Sequence, residues 1–219
     1  MVRNIFFSLI TFLSFACLHA QTIQIGSVAD ESARSFQLMG KTDPSVSFTI
    51  RPLTRTGLVS NRNIYSYIDS QQAYQKPVIF ANKKGQFTLL PVTLTQQFNS
   101  HHPYGWNDGS MIAARGYQSL VSGGVYAAIG PLEIQLQPEM VYAAGSAYEN
   151  NFYYGSPLAN VSYNKIQAGQ SSIRLSAGAV SVGVSTENLW WGPGINSSLL
   201  MSNNAPGFGH IFFSPVLEL

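Results

Sequence analysis

Leu132-Glu133-Ile134-Gln135-Leu136-Gln137-Pro138-Glu139-Met140-Val141-Tyr142 alternates apolar and polar side chains over almost its whole length. In an extended chain successive side chains point to opposite faces. Leu132, Ile134, Leu136, Met140 and Tyr142 therefore share one face, and Glu133, Gln135, Gln137 and Glu139 share the other. About ten residues is the length a tilted membrane strand needs. In a soluble sandwich the apolar face would be core and the Glu/Gln face solvent. In a barrel the apolar face meets lipid and the Glu/Gln face lines the lumen. Periodicity alone does not separate these readings. Pro138 has no ladder donor, which predicts a bulge or a locally broken pair there.

The pattern extends in both directions. Gly130-Pro131 marks a tight turn back to a strand over residues 117–129. Upstream, residues 87–98 predict another strand, with Leu90, Val92 and Leu94 on one face. Downstream, residues 172–184 predict a strand of small residues that permits close backbone approach. Two long, aromatic, turn-rich loops lie between, at residues 99–114 and 145–167. Long loops alternating with tight turns are the usual barrel asymmetry, the long side facing outward.

Composition points the same way. Charged residues make up 10% of the chain, against roughly 25% in an ordinary soluble domain. Tyr and Phe number 11 and 13, and Gly, Ser, Asn and Gln fill the polar positions. The net charge of +2 is too small to point to nucleic acid. No dense acidic calcium loop occurs, and no cofactor is implied.

The N-terminal residues differ in kind. Arg3 precedes an apolar run from Ile5 to Cys17, then Leu18-His19-Ala20 and polar Gln21. This is the layout of a secretory signal, with cleavage expected after Ala20. A lipoprotein anchored through Cys17 is the weaker alternative, because Ser14 and Phe15 depart from a lipobox. Cys17 is the sole cysteine, so a cleaved chain would have no disulfide or thiol chemistry. Residues 21–85 predict a short helix over 30–40, capped by Asp30 and ended by Gly40, a strand over 46–50, and irregular structure with room for a short helix over 61–74. Residues 86–219 predict antiparallel barrel strands. The last of them, from Ile211 onward, stop short of the number a closed barrel needs, so an N-terminal portion of a longer protein is expected.

Two segments are more distinctive. One is Gln96-Gln97-Phe98-Asn99-Ser100-His101-His102-Pro103-Tyr104-Gly105-Trp106-Asn107-Asp108-Gly109. The other is Ser185-Thr186-Glu187-Asn188-Leu189-Trp190-Trp191-Gly192-Pro193-Gly194, continuing into Ser198-Leu199-Leu200-Met201-Ser202-Asn203-Asn204-Ala205-Pro206-Gly207-Phe208. Together they resemble the Wzi family of capsule-assembly proteins in its Bacteroidetes form, over roughly the N-terminal half of that family. The resemblance implies an all-β outer-membrane barrel, incomplete here, with a small helical element near the periplasmic end. It implies lectin-like binding of capsular polysaccharide at the cell surface, with outer-membrane lipid as the other partner, and no catalysis.

Residue chemistry singles out Tyr104, Trp106, Asn107 and Asp108 in the first segment and Glu187, Asn188, Trp190 and Trp191 in the second as sugar contacts. Indole rings offer flat apolar faces with an N–H at the edge. Each has a structural alternative: tryptophans also anchor barrels at the lipid interface, and Asn-Asp-Gly is a turn sequence. His101-His102 with Asp108 makes a poor metal set, since adjacent strand residues diverge. Glu133 and Glu139 lie roughly 20 Å apart along a strand, too far for a glycosidase pair; pairing with Arg115 and Arg174 in the lumen is the better reading. No Gly-x-Ser-x-Gly elbow occurs. A channel or transporter, and less so an envelope enzyme acting on glycans, are the competing functions.

Overall fold

A computed structural model describes residues 22–41, 47–54, 78–82, 84–144, 162–177 and 180–215. Residues 1–21, where a secretory signal is expected, and Val46 and residues 61–74 fall outside them. The described chain is predominantly β, with one helix among the described residues. A small N-terminal unit comes first: β1 (Thr22–Ile23), α1 (Val28–Leu38), β2 (Ile50–Arg51) and β3 (Leu53–Thr54). Then follow β4 (Val78–Phe80), β5 (Gly85–Asn99), β6 (Gly116–Ile129), β7 (Leu132–Leu136), β8 (Glu139–Ala143), β9 (Tyr163–Gln167), β10 (Ser172–Ala177), β11 (Val180–Ser185), β12 (Trp190–Trp191) and β13 (His210–Pro215).

The helix starts earlier than expected, and Asp30 does not cap it. Ser27 is the cap, and its hydroxyl accepts the Asp30 N–H at 3.3 Å. Asp30 sits in the first turn, where its carboxylate accepts the Gly26 N–H at 3.2 Å and complements the helix dipole. Gly40 ends the helix as expected, in a left-handed conformation (φ 67°). Its N–H donates to the Gln37 carbonyl and that of Lys41 to the Phe36 carbonyl, the paired bonds of a Schellman motif. Within the described residues 47–50 only Ile50 is strand. Phe48 lies in a bend, packed against the cluster of Ile23, Ala33 and Leu53 with the Arg34 guanidinium 5.2 Å from its ring.

Nine strands form one antiparallel sheet. β7 and β8 hold the same register against β6, Val125 opposite Leu136 and Ser122 opposite Glu139, so they form one row. The break between them falls at Gln137-Pro138, where proline removes a donor, as the sequence predicts. Gly124 makes the break possible: a Cβ there would come within 1.9 Å of the Leu136 carbonyl oxygen. β9 and β10 form the next row, pairing with β8 and β7 respectively. The sheet is thus an up-and-down meander from β4 to β13. It is open: β4 and β13 are its edges and do not pair with each other.

Three expectations change. Residues 172–184 are not one strand but a hairpin, β10 with β11, with Ala177 opposite Val180. Tyr163–Gln167 is strand, not loop. Leu90, Val92 and Leu94 do not share a face, because the β5–β6 register slips by one residue between Leu90 and Thr93. Proline at position 91 suits that bulge. Leu90 is 6% exposed, packed with Tyr126 and Ala128, whereas Val92 is 77% exposed.

The sheet is polar inside and apolar outside. Glu133, Gln135, Gln137 and Glu139 are buried, as are Gln118, Ser122, Ser172, Arg174, Ser181 and Ser185 on neighbouring strands. Leu136, Met140, Tyr142, Ile173, Val182, Val184, Ile211 and Phe213 are exposed. Leu90, Leu120, Tyr126 and Val141 are the main apolar residues on the buried face. Arg174 lies directly opposite Glu133 in register, and its guanidinium rests 4.9 Å from the Phe212 ring. Arg115, expected beside them, is exposed ahead of β6.

Connections alternate in length. Short ones join β4 to β5, β6 to β7 and β10 to β11, all at one end of the sheet. Residues 100–115 and 186–209 form connections at the other end, where β8 ends at Ala143 and β9 begins at Tyr163. β12 belongs to the second of these and pairs with β2, Trp190 opposite Arg51. The N-terminal unit is therefore tied to the long-connection end. The periplasmic placement of the helix implied by the resemblance and the outward placement of the long loops do not both hold for this sheet.

Candidate functional site

The two distinctive segments, far apart in sequence, interlock at the long-connection end. The Trp106 indole N–H donates to the Asn196 carbonyl at 3.1 Å, and the Asn107 side-chain amide donates to the same carbonyl at 2.9 Å. The Asn107 backbone N–H donates to Asn204 Oδ1 at 2.6 Å, and Asn203 Nδ2 donates to the Asn107 carbonyl at 2.9 Å. The Gly109 N–H donates to the Asn203 carbonyl at 2.7 Å. Asn107 takes a left-handed conformation (φ 52°), which asparagine tolerates. The turn expected of Asn-Asp-Gly is present, and its polar groups are held by a partner loop.

This clamp leaves specific groups available. Tyr104 and Trp106 are exposed. Asp108 Oδ2 and Asn107 Oδ1 are buried atoms with no hydrogen-bond partner among the described residues. Burial pushes the Asp108 carboxyl above the usual carboxylate range, opposed by hydrogen bonds from its own backbone and that of Trp106. His101 and His102 are exposed and stack edge to face at 4.5 Å in a bend, not on a strand. Among the described residues no cluster of three histidines, cysteines or carboxylates is placed to hold a metal.

The candidates of the second segment divide. Trp190 is 1% exposed, and its indole N–H donates to the Gly194 carbonyl at 3.1 Å. The Arg51 guanidinium lies 4.6 Å from its ring centroid and pairs with Asp30 at 3.0 Å. Desolvation lowers the Arg51 pKa, with Asp30 opposing and Arg34 adding to the shift. Trp190 thus fastens the N-terminal unit to the 186–209 connection and presents no free face. Trp191 is partly exposed and does present one.

Glu187 and Asn188 are buried in a polar network that reaches the Glu/Gln face of the sheet. Glu187 accepts from the hydroxyls of Thr22 and Ser185. Burial raises its pKa, countered by those two hydrogen bonds and by the charges of Arg174 and His210. Gln170 Nε2 bridges Asn188 Oδ1 (2.8 Å) and Glu139 Oε1 (3.1 Å). Ser110 donates to the other oxygen of Glu139. Thr22 N–H also reaches Gln135 at 3.2 Å, and Gln24 reaches Glu139 at 3.4 Å. The start of the N-terminal unit therefore lies against the polar face.

A cleft of about 610 Å³ opens between that N-terminal segment, β5 at its bulge and residues 106–109. Gln24, Thr93, Thr95, Asn107, Asp108, Glu139 and Asn203 supply its polar lining, and Trp106 stands at its side. Sequence reasoning found Trp106, Asn107 and Asp108 but not Thr22, Gln24 or the Asn196/Asn203/Asn204 partners. Only the adjacent amides of Asn203-Asn204 carry a sequence signal, and it does not reveal which loop they hold. Comparison with protein-family models, with curated proteins and with solved structures returned no match.

Proposed function

We propose that this chain forms part of an outer-membrane β-barrel of the capsule-attachment kind, and that its long-connection end binds capsular polysaccharide at the cell surface. The observation that carries the membrane reading is the inverted polarity of the sheet. Each exposed Leu, Ile, Val, Met or Phe on the outer face leaves roughly 1.5–3 kcal/mol of burial unrealised in water. In lipid the same face is matched to its solvent. Burying Glu133, Gln135, Gln137 and Glu139 on the inner face is sustainable because an internal hydrogen-bond network reaches them. The open edges β4 and β13 must find strand partners in a bilayer, since unpaired backbone groups cost several kcal/mol each there.

The capsule role is supported by the two segments that resemble the Wzi family and that meet at one end, with aromatic and amide side chains exposed beside a cleft. A diffusion channel draws less support, because the N-terminal segment and the Glu139–Gln170–Asn188 network cover the buried polar face of the sheet. Deleting the gene is expected to release capsule into the medium while synthesis continues. Capsule that stays cell-bound in the deletion strain defeats the attachment role. Recovery of the native protein in the soluble periplasmic fraction defeats the barrel.

A further inference from the structure

We infer that the cleft between the N-terminal segment and residues 106–109 is a subsite for uncharged or amino-bearing sugar units and rejects acidic ones. The inference rests on the polysaccharide-binding role and adds the charge class of the sugar. The cleft holds two carboxylates, Asp108 and Glu139, and among the described residues no lysine, arginine or histidine lines it. Glu139 is already satisfied by Ser110 and Gln170. Asp108 also lines the cleft, and its Oδ2 has no hydrogen-bond partner among the described residues, so the carboxyl is less fully satisfied than that of Glu139.

The start of α1 borders the same cleft, and a bare helix N-terminus would favour an anion. Here Ser27 and the carboxylate of Asp30 already occupy that end, so it offers no anion site. A uronate or phosphate entering would face Asp108 and Glu139 in a partly desolvated space with no counter-charge on the lining. Neutral hydroxyls meet Gln24, Thr93, Thr95 and Asn203 instead. The Trp106 indole N–H is held by Asn196, which fixes an exposed ring beside the cleft against which an apolar sugar face can pack.

The test is binding of the full chain, in detergent micelles, to oligosaccharides of matched length: neutral gluco-, manno- and galacto-oligomers, chitosan oligomers and oligogalacturonates. Binding is expected within the neutral and chitosan sets and at least about tenfold weaker for oligogalacturonates, a difference of about 1.4 kcal/mol. Asp108→Asn should reduce the preference for chitosan and relax the exclusion of oligogalacturonates. Trp106→Ala should weaken all binding, and Trp106→Phe should restore most of it, which separates ring contact from loop misfolding. Equal or tighter binding of oligogalacturonates overturns the inference, as does binding of no member of the panel. If no member binds while the intact strain retains capsule and the deletion strain releases it, the cleft assignment fails and the attachment role stands. If neutral oligomers bind while the deletion strain keeps its capsule, the reverse holds.

Discussion

Arg51 and Trp190 are strand partners and a cation–π pair at once: they face each other in the β2–β12 register, with the guanidinium carbon 4.6 Å from the ring centroid. The same guanidinium holds Asp30 of α1 at 3.0 Å. One side chain thus joins a helix, a short strand and the 186–209 connection. Trp190→Ala is expected to cost about 3–5 kcal/mol through lost burial. Arg51→Ala should cost a comparable amount, because it strands the buried Asp30 carboxylate. In both variants limited proteolysis should release the N-terminal unit while the sheet stays protected. Uniform digestion of the whole chain would show that the unit and the sheet do not separate.

The outward face gives the sharpest contrast between lipid and water. Val184 is exposed between Ile173 and Ile211 on neighbouring strands. Arginine at an exposed position of a soluble protein changes stability by about 0.5 kcal/mol or less. At the lipid midplane it costs roughly 2–4 kcal/mol. Val184→Arg is expected to shift the urea midpoint of folding into lipid vesicles markedly downward. An unchanged midpoint would place this face in water.

Glu187 links pH to the docking of the N-terminal segment through Thr22. Its folded pKa is raised, mainly by burial. The stability it contributes is therefore fully present below the unfolded carboxyl value and is lost as pH rises through the folded value. Glu187→Gln should lie close to the wild type at acid pH and become the more stable of the two as pH rises. Thermal melts of both proteins across that range measure the difference. A constant gap between the two curves, independent of pH, would exclude this titration.

The proposed membrane placement has a sidedness that can be tested from the alternation of short and long connections. Cys17 is the sole cysteine, so single cysteines placed in a Cys17→Ser background report cleanly. Ile195→Cys in the 186–209 connection should react with an impermeant maleimide on intact cells. Asn82→Cys, in the β4–β5 turn, should react only after the outer membrane is opened. The opposite pattern would put the N-terminal unit and the cleft on the periplasmic side.

The strands from residue 85 to 143 were legible because each carries its own signal: alternation in β7–β8, Gly130-Pro131 at the turn, Pro138 at the break. The bulge in β5 was not. Pro91 hints at an irregularity, yet a one-residue slip is defined only against β6, and it sends Leu90 inward and Val92 outward. Of the site, Trp106, Asn107 and Asp108 were legible as chemistry. Trp190 was picked for the same chemistry, but burial under Arg51 depends on β2, some 140 residues away in sequence, and no local pattern carries that.

The sequence alone determined which residues of Leu132–Tyr142 stand together, because side-chain alternation is a property of the extended backbone. It did not determine which set faces inward, because a period of two is the same read from either side. The tertiary structure decided that. The sheet turns its Glu/Gln face toward the N-terminal segment, where Gln24, Gln170 and Thr22 meet its polar groups, and leaves Leu136, Met140 and Tyr142 exposed on the outside.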